Sequence, residues 1–134
     1  ALLMATMSGV EVNLMFPCKP DHPFVYWATL SYVGELIMAG ANCYTYDNGF
    51  LHAKGLSIDG KACCYGTANM DIRSFALNFE VNAMIFDQNI AGEMERIFRE
   101  DLKCCTRITK EMYKSRSVWI RFKEQISRLL SPVL

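Results

Sequence analysis

A histidine and a lysine two residues apart are the pair in this sequence best suited to chemistry. They are His52 and Lys54 in HAKGLSID, a stretch that ends at Asp59 and has the form H-x-K-x4-D. Alternate side chains of an extended strand share one face, so we expect the imidazole and the ammonium group to project together. Imidazole can attack phosphorus or protonate a leaving oxygen near neutral pH, and an ammonium group can hold phosphate charge. The pair therefore indicates work on a phosphate.

Two later segments supply the other groups that such a site needs. The segment GTANMDIRS begins at Gly66, whose lack of a side chain lets backbone amides approach an anion, and Thr67 and Asn69 offer short hydrogen-bonding groups. Glu80 follows on the next predicted strand and could reach an imidazole N–H, as the acid of a catalytic triad does. We interpret these residues and the histidine–lysine pair as one site. The alternative, a strand with two solvent-facing polar residues, is favoured by the pair alone but not by the whole set.

Helix and strand patterns predict an α/β domain that positions these residues, with a mixed sheet and helices on both faces. The Asp59-Gly60 pair predicts a hairpin turn, segment 66–74 a loop, and the continuous apolar content of 79–86 a strand covered on both faces. The predicted elements are a helix remnant closed by Gly9, strand 10–16, a helix capped by Asp21 that ends near Ala39 and Gly40, strands 43–46, 51–58, 62–65 and 79–86, a helix capped by Asp87 or Asn89, and helices 110–114 and 117–130.

Length and charge limit the classes of protein that the chain can represent. It has 134 residues, 51% of them hydrophobic, which is enough for one globular domain. The formal net charge is zero, which argues against a general nucleic-acid binder. Residues 107–134, however, contain seven basic and two acidic side chains and carry +5, so residues 1–106 carry −5. We therefore divide the chain into a body, 1–106, and a basic helical tail, 107–134.

The six cysteines and the tail each leave a choice of interpretations. The cysteines include no C-x-x-C, so we expect free thiols in a reducing compartment and no metal site. Of the adjacent pair Cys63 and Cys64, alternation places one on the inner face of a strand. No apolar run approaches the length of a membrane span. The tail helix is amphipathic and basic, so it either docks on the protein or makes peripheral contact with an anionic membrane surface.

The motif and the segments after it resemble the signature of the phospholipase D superfamily. The matching strings are H-x-K-x4-D, GTANMDIRS and NFE. The longer sequence from GFLHAKGLSID to the ending ISRLLSPVL is similar to the C-terminal half of bacterial cardiolipin synthases, and the likeness covers nearly the whole chain. The resemblance implies a phospholipase D-like catalytic half-domain over residues 1–106.

The resemblance also implies a role for each site residue. His52 is then one of two active-site histidines, either the nucleophile that forms a phosphohistidine or the acid and base that serves the other. Lys54, Thr67 and Asn69 bind the phosphodiester oxygens, with Thr67 standing where many members carry serine. In addition, Glu80 hydrogen-bonds the histidine.

For Asp59, the resemblance implies structural and electrostatic support within the catalytic motif.

The implied reaction is phosphatidyl transfer between two phosphatidylglycerol molecules, which gives cardiolipin and glycerol and needs no metal or cofactor. Members of the family combine two motifs, whereas this sequence has one, because His22 in PDHPF does not supply a second. We therefore expect an excised C-terminal half, soluble and weakly active or inactive alone, from an enzyme of the bacterial cytoplasmic membrane. Its partner is the N-terminal half with the second motif, or a second copy of the chain. The alternatives are a homodimeric phosphodiesterase or nuclease and a non-catalytic scaffolding half.

Overall fold

The structure is a computed structural model that describes residues 1–19 and 23–131. The predicted helix cap Asp21 and His22 lie outside these residues. In chain order the elements are α1 (Leu2–Met7), β1 (Asn13–Pro17), α2 (Pro23–Ala39), β2 (Asn42–Tyr46), β3 (Gly55–Ile58), β4 (Ala62–Gly66), α3 (Ile72–Ala76), β5 (Asn82–Ile85), α4 (Gln88–Asp101), a 3-10 turn (Leu102–Cys104), β6 (Cys105–Ile108), α5 (Lys110–Lys114) and α6 (Val118–Leu130). The α/β class predicted from the sequence is confirmed.

The chain forms two compact units. The first contains residues 1–51 and the residues from 105 onward, and the second contains residues 52–104. The chain returns to the first unit at Cys105, two residues before the basic tail that charge predicts from residue 107. The division into a half-domain and a tail stays a prediction, because compactness alone does not define an independently folding domain.

The first unit has a mixed sheet and a hydrophobic core. β2 lies in the centre, parallel to β1 and antiparallel to β6. α2 ends where the sequence predicts, at Ala39, because Gly40 adopts a φ of 115° that only glycine reaches without strain. The core joins the inner side of α2 to the two parallel strands through Phe16, Leu30, Val33, Ile37, Ala41 and Cys43.

The second unit has a small antiparallel sheet in the order β3-β4-β5, with α4 packed against β3 and β4. Asp59 and Gly60 both have positive φ, and Lys61 N–H donates to the Ile58 carbonyl at 2.9 Å, so the predicted hairpin turn is confirmed. Asp87 caps α4 by accepting hydrogen bonds from two backbone N–H groups, also as predicted. The buried residues of this unit are Cys63, Ser74 and Ala91.

Three predictions about strands and loops are wrong. The strand predicted over 51–58 begins only at Gly55, so His52 and Lys54 precede it. The strand predicted over 79–86 shrinks to β5, and its coverage on both faces is wrong because Phe79 and Phe86 are exposed. The loop predicted over 66–74 includes the start of α3, and β6 was not predicted at all. Short elements of four or five residues depend on their pairing partners more than on their own sequence.

Candidate active site

Five of the six predicted site residues meet at one end of the sheet of the second unit. His52 and Lys54 lie just before β3, Thr67 and Asn69 just after β4, and Glu80 just before β5. Neighbouring strands are antiparallel, so the start of β3, the end of β4 and the start of β5 coincide. The Gly66 N–H, at the end of β4, donates to the Lys54 carbonyl at 3.3 Å and fixes that segment beside the motif.

Asp59 is the residue that the structure does not bring to this end. It lies in the β3–β4 turn, separated from Lys54 by the full length of β3, which at about 3.3 Å per residue is more than 10 Å. Its carboxylate makes no hydrogen bond or ion pair within residues 1–19 and 23–131. The four-residue spacing of the motif therefore matches the length of one hairpin strand. The supporting role that the resemblance implies for Asp59 stays a prediction.

The histidine and the lysine are joined through the backbone. The Lys54 Nζ donates to the His52 carbonyl at 3.0 Å, and the lysine is half-buried whereas the histidine is exposed. The ammonium group also lies close enough to the Glu80 carboxylate for attraction between the two charges. The cation is thus held at the end of the sheet next to an exposed imidazole.

Glu80 and Thr67 form the most completely bonded part of the site. The Thr67 hydroxyl accepts from the Val81 N–H at 3.0 Å and donates to Glu80 Oε2 at 2.5 Å. Asn78 Nδ2 donates to the other carboxylate oxygen, Oε1, at 3.2 Å. The hydrogen bond from Thr67, followed by that from Asn78, holds the pKa of the Glu80 carboxyl below its ordinary value. Glu80 is therefore a carboxylate at neutral pH, and the single hydroxyl proton of Thr67 points to it.

Asn69 presents its side chain from an anchored loop. Its backbone N–H donates to Ser74 Oγ at 3.1 Å, and the Ser74 N–H donates to Asp71 Oδ1 at 2.7 Å, which caps α3. The side-chain amide of Asn69 is exposed and makes no hydrogen bond to any residue that the structure describes, so it can donate to a ligand.

Sequence analysis missed two residues that build the site. Ser74 is buried and ties the Asn69 loop to α3, and Asn78 binds the carboxylate of Glu80. The spacing Asp71-x-x-Ser74 is typical of a helix N-cap and could have identified the first. The sequence has no comparable signal for Asn78, because its contact depends on a turn that forms only in the folded chain.

The cysteines are all free, as expected, and Cys63 is buried while Cys64 is half-buried, as alternation predicts. Burial raises the pKa of the Cys43 thiol to about 11. Within the described ranges, no three His, Cys, Asp or Glu side chains group closely enough to hold a metal ion. In the same ranges, no helix combines the length and the apolar character that crossing a bilayer requires.

The site has the groups for chemistry on a phosphate ester. It combines an exposed imidazole, a nearby ammonium group and an amide donor, with an ionised carboxylate beside them. The ammonium group and the amide suit an anionic ligand, because both donate hydrogen bonds and the first carries positive charge. A carboxylate near an imidazole can orient it and stabilise its protonated form.

Comparison with known proteins agrees with this chemistry. Residues 1–102 match the family model of the cardiolipin synthase, PLD-like domain. The whole chain is 57% identical to the major cardiolipin synthase ClsA of Bacillus subtilis, 56% to a cardiolipin synthase of Oceanobacillus iheyensis and 55% to cardiolipin synthase 1 of Staphylococcus epidermidis. Each alignment includes the whole of this chain but only 27% to 28% of the relative's length. The chain belongs to the cardiolipin synthase family of phospholipase D-like proteins.

Proposed function

We propose that this chain supplies one of the two catalytic motifs of a cardiolipin synthase, which transfers a phosphatidyl group from one phosphatidylglycerol to another. The observation that carries the proposal is the convergence of His52, Lys54, Asn69 and Glu80 at one end of a sheet, in a chain of this family. The chain spans about 28% of its relatives, so the second motif comes from the rest of a longer enzyme or from a second copy.

The reaction has two balanced steps. One histidine attacks the phosphorus of a phosphatidylglycerol, the bond from phosphorus to the glycerol oxygen breaks, and glycerol leaves with a proton from the second histidine. The hydroxyl of another phosphatidylglycerol then gives its proton to that second histidine and attacks the phosphohistidine. Cardiolipin is released and the first imidazole is regenerated. His52 takes one of these two histidine roles.

Lys54 and Asn69 bind the non-bridging phosphate oxygens. Negative charge accumulates on these oxygens when phosphorus gains a fifth ligand, so fixed donors stabilise the transition state more than the ground state. The ammonium group is already held by the His52 carbonyl, and the Asn69 loop is anchored by Ser74. Both donors are therefore positioned before the lipid arrives, which reduces the cost of reorganisation.

Glu80 orients the imidazole and stabilises the imidazolium that forms during proton transfer. Its low pKa supports this role, because an ionised carboxylate attracts the cation throughout the physiological pH range. Thr67 is a positioning residue for Glu80, since its hydroxyl already donates to that carboxylate. Phosphate binding by Thr67, which the resemblance implies, would require that proton to leave Glu80.

A chimera tests the proposal. The 134 residues of the Bacillus subtilis relative that align with this chain are replaced by it, and cardiolipin formation from phosphatidylglycerol is measured. We expect activity in the chimera and a loss of several powers of ten in His52→Ala or Lys54→Ala, because each removes a group that acts in the transition state. Glu93→Gln, a change of the same kind in an exposed ion pair of α4, is the control.

The alternatives predict other outcomes of the same assay. A chimera that keeps full activity in His52→Ala would show that this segment only scaffolds its partner. Hydrolysis of a simple phosphodiester by the 134-residue chain as a dimer, without phosphatidyl transfer in the chimera, would favour a homodimeric phosphodiesterase. Phosphatidyl transfer that depends on His52 supports the synthase.

A further inference from the structure

The helix α6 docks through a face whose fully buried residues are polar, with Ile120 half-buried between them. It packs along α2, and its buried residues are Glu124 and Ser127, with Glu124 only 1% exposed. Arg116 forms an ion pair with Glu124 and stacks over the Tyr113 ring at 3.3 Å. Burial raises the pKa of the Glu124 carboxyl more than the attraction of Arg116 lowers it. The two fully buried residues of α6 are therefore polar, and Glu124 is accommodated by its ion pair with Arg116.

The apolar stripe of α6 faces away from α2. At about 100° per residue it covers an arc of about 120° on the side opposite Glu124 and Ser127. Trp119 is 75% exposed and Leu129 81%. The exposed apolar residues of the helix, here called the α6 stripe, are Val118, Trp119, Phe122, Ile126, Leu129 and Leu130. The helix is 13 residues and therefore about 20 Å long, so the stripe is a continuous surface rather than isolated side chains.

Basic side chains border the α6 stripe on both sides. On the helical projection Arg121 lies beyond one edge and Lys123 beyond the other, and both are exposed. Arg121 is directed along the surface by donating to the Lys114 carbonyl at 2.5 Å, and Lys123 lies 5.6 Å from the Trp27 ring. Glu124 is the single acid of α6, and it is buried, so the exposed surface of this helix carries cations without anions.

We propose that the α6 stripe lies in the interface of an anionic bilayer, with Arg121 and Lys123 at the level of the lipid headgroups. Helices that lie in a membrane interface are amphipathic, with a broad apolar arc, aromatic residues and basic residues on the polar side. The helix α6 has these features. The charge selects anionic lipid, because each cation near such a surface gains attraction from its potential. The helix would thus hold the protein at a membrane surface without crossing it.

Vesicle binding by the 134-residue chain tests the inference. We expect the chain to sediment with vesicles of phosphatidylglycerol and phosphatidylcholine at least about tenfold more tightly than with phosphatidylcholine alone. Phe122→Ser with Leu129→Ser should weaken binding about tenfold or more, because two large apolar contacts are lost. Lys123→Gln should weaken it about fivefold. Phe86→Ser, an equally exposed aromatic of the second unit, is the matched control and should have no effect.

Trp119 locates the contact directly. Its fluorescence should shift to the blue and be quenched by brominated lipid in the chimera, and both effects should disappear in Trp119→Phe. Equal binding by the stripe variants and the parent would overturn the inference. A dimer of the chain that Leu129→Ser dissociates would also overturn it, since the α6 stripe would then bind a second copy. Shielding of Trp119 from lipid by the rest of the chimera would overturn it as well.

The inference and the proposed catalysis fail separately. A chimera that forms cardiolipin while the chain ignores anionic vesicles would remove only the membrane role. Vesicle binding without phosphatidyl transfer would remove only the synthase role.

Discussion

The two units of the chain differ in how they use apolar residues. The first buries a core of Phe16, Leu30, Val33, Ile37, Ala41 and Cys43 between a helix and a mixed sheet. The second buries Cys63, Ala91 and Ser74, while Phe79, Val81 and Met84 are exposed. All the candidate catalytic groups lie in the second unit. The second unit, which holds the candidate catalytic groups, therefore has little core of its own. The first unit, which holds none of them, has the packing that stabilises a fold.

The exposed apolar surfaces of the two units also differ in their surroundings. On the second unit, Leu56 and Met84 lie on the sheet face opposite Cys63 and α4, since register pairs Leu56 with Cys64 and Cys64 with Met84. On the first unit, the α6 stripe is bordered by Arg121 and Lys123. A sheet face with an apolar row suits burial under protein, and a helix with cationic borders suits lipid.

The largest expected effect separates chemistry from stability within the second unit. Glu80→Gln keeps the shape of the side chain but removes its charge, so we expect the chimera to lose about 10²- to 10⁴-fold in kcat. Glu80 is partly exposed, so the free energy of unfolding should stay close to that of the parent. Steady-state kinetics and urea denaturation measure the two quantities. An unfolding change without a kinetic one would assign Glu80 to structure alone.

The same residue makes a prediction for pH. The folded pKa of Glu80 is depressed, so its favourable interactions are complete above the ordinary glutamate pKa of about 4.3 and are lost as pH falls through the lower, folded value. Glu80 therefore stays ionised between pH 7 and 5, so any loss of activity in that interval should have another origin and should persist in the residual activity of Glu80→Gln. Disappearance of that acid limb in the variant would contradict the assignment.

Local signals in the sequence predict where helices and strands end better than they predict what packs against those elements. Gly40 and the Asp59-Gly60 turn were predicted because each needs a backbone conformation that few residues adopt. The exposure of Phe79 was predicted wrongly, because an apolar sequence shows that a residue favours burial and not what covers it. For the same reason the amphipathic pattern of α6 identified the helix but left open whether it docks on the protein or contacts a membrane.

The candidate site shows the same limit. Residue types and spacing predicted His52, Lys54 and Asn69, because the chemistry of phosphate needs those groups. The bonds among Thr67, Asn78 and Glu80 were not predicted, since they form when the ends of β4 and β5 meet.

Truncating a buried apolar side chain in the first unit should cost several kcal/mol, whereas truncating an exposed one in the second unit should cost almost nothing. Ile37→Ala removes a 2% exposed side chain, so we expect a loss of about 2 to 5 kcal/mol in the free energy of unfolding. Met84→Ala, on the exposed sheet face, should change it by less than about 0.5 kcal/mol. Urea denaturation of the 134-residue chain measures both. Equal losses would mean that the second unit has a core after all.

Two helical glycines provide a smaller contrast. Gly34 in α2 lies against the Tyr113 ring, so a methyl group there would overlap the ring and Gly34→Ala should destabilise the chain by about 1 to 3 kcal/mol. Gly92 in α4 has open space, and Gly92→Ala should stabilise it by about 0.5 to 1 kcal/mol through helix propensity. Denaturation midpoints measure both signs. Stabilisation by Gly34→Ala would show that Tyr113 in α5 moves aside at little cost in free energy.

The smallest expected effect concerns the ion pair that joins α6 to α2 at the surface. Arg128 pairs with Glu35 and lies 4.7 Å from the Tyr32 ring, and both charged side chains are partly exposed. Glu35→Gln should therefore cost no more than about 1 kcal/mol, and 1 M salt should remove most of the difference from the parent. A larger, salt-independent loss would mean that surface charge, rather than the buried face of α6 and the core, determines how this helix docks.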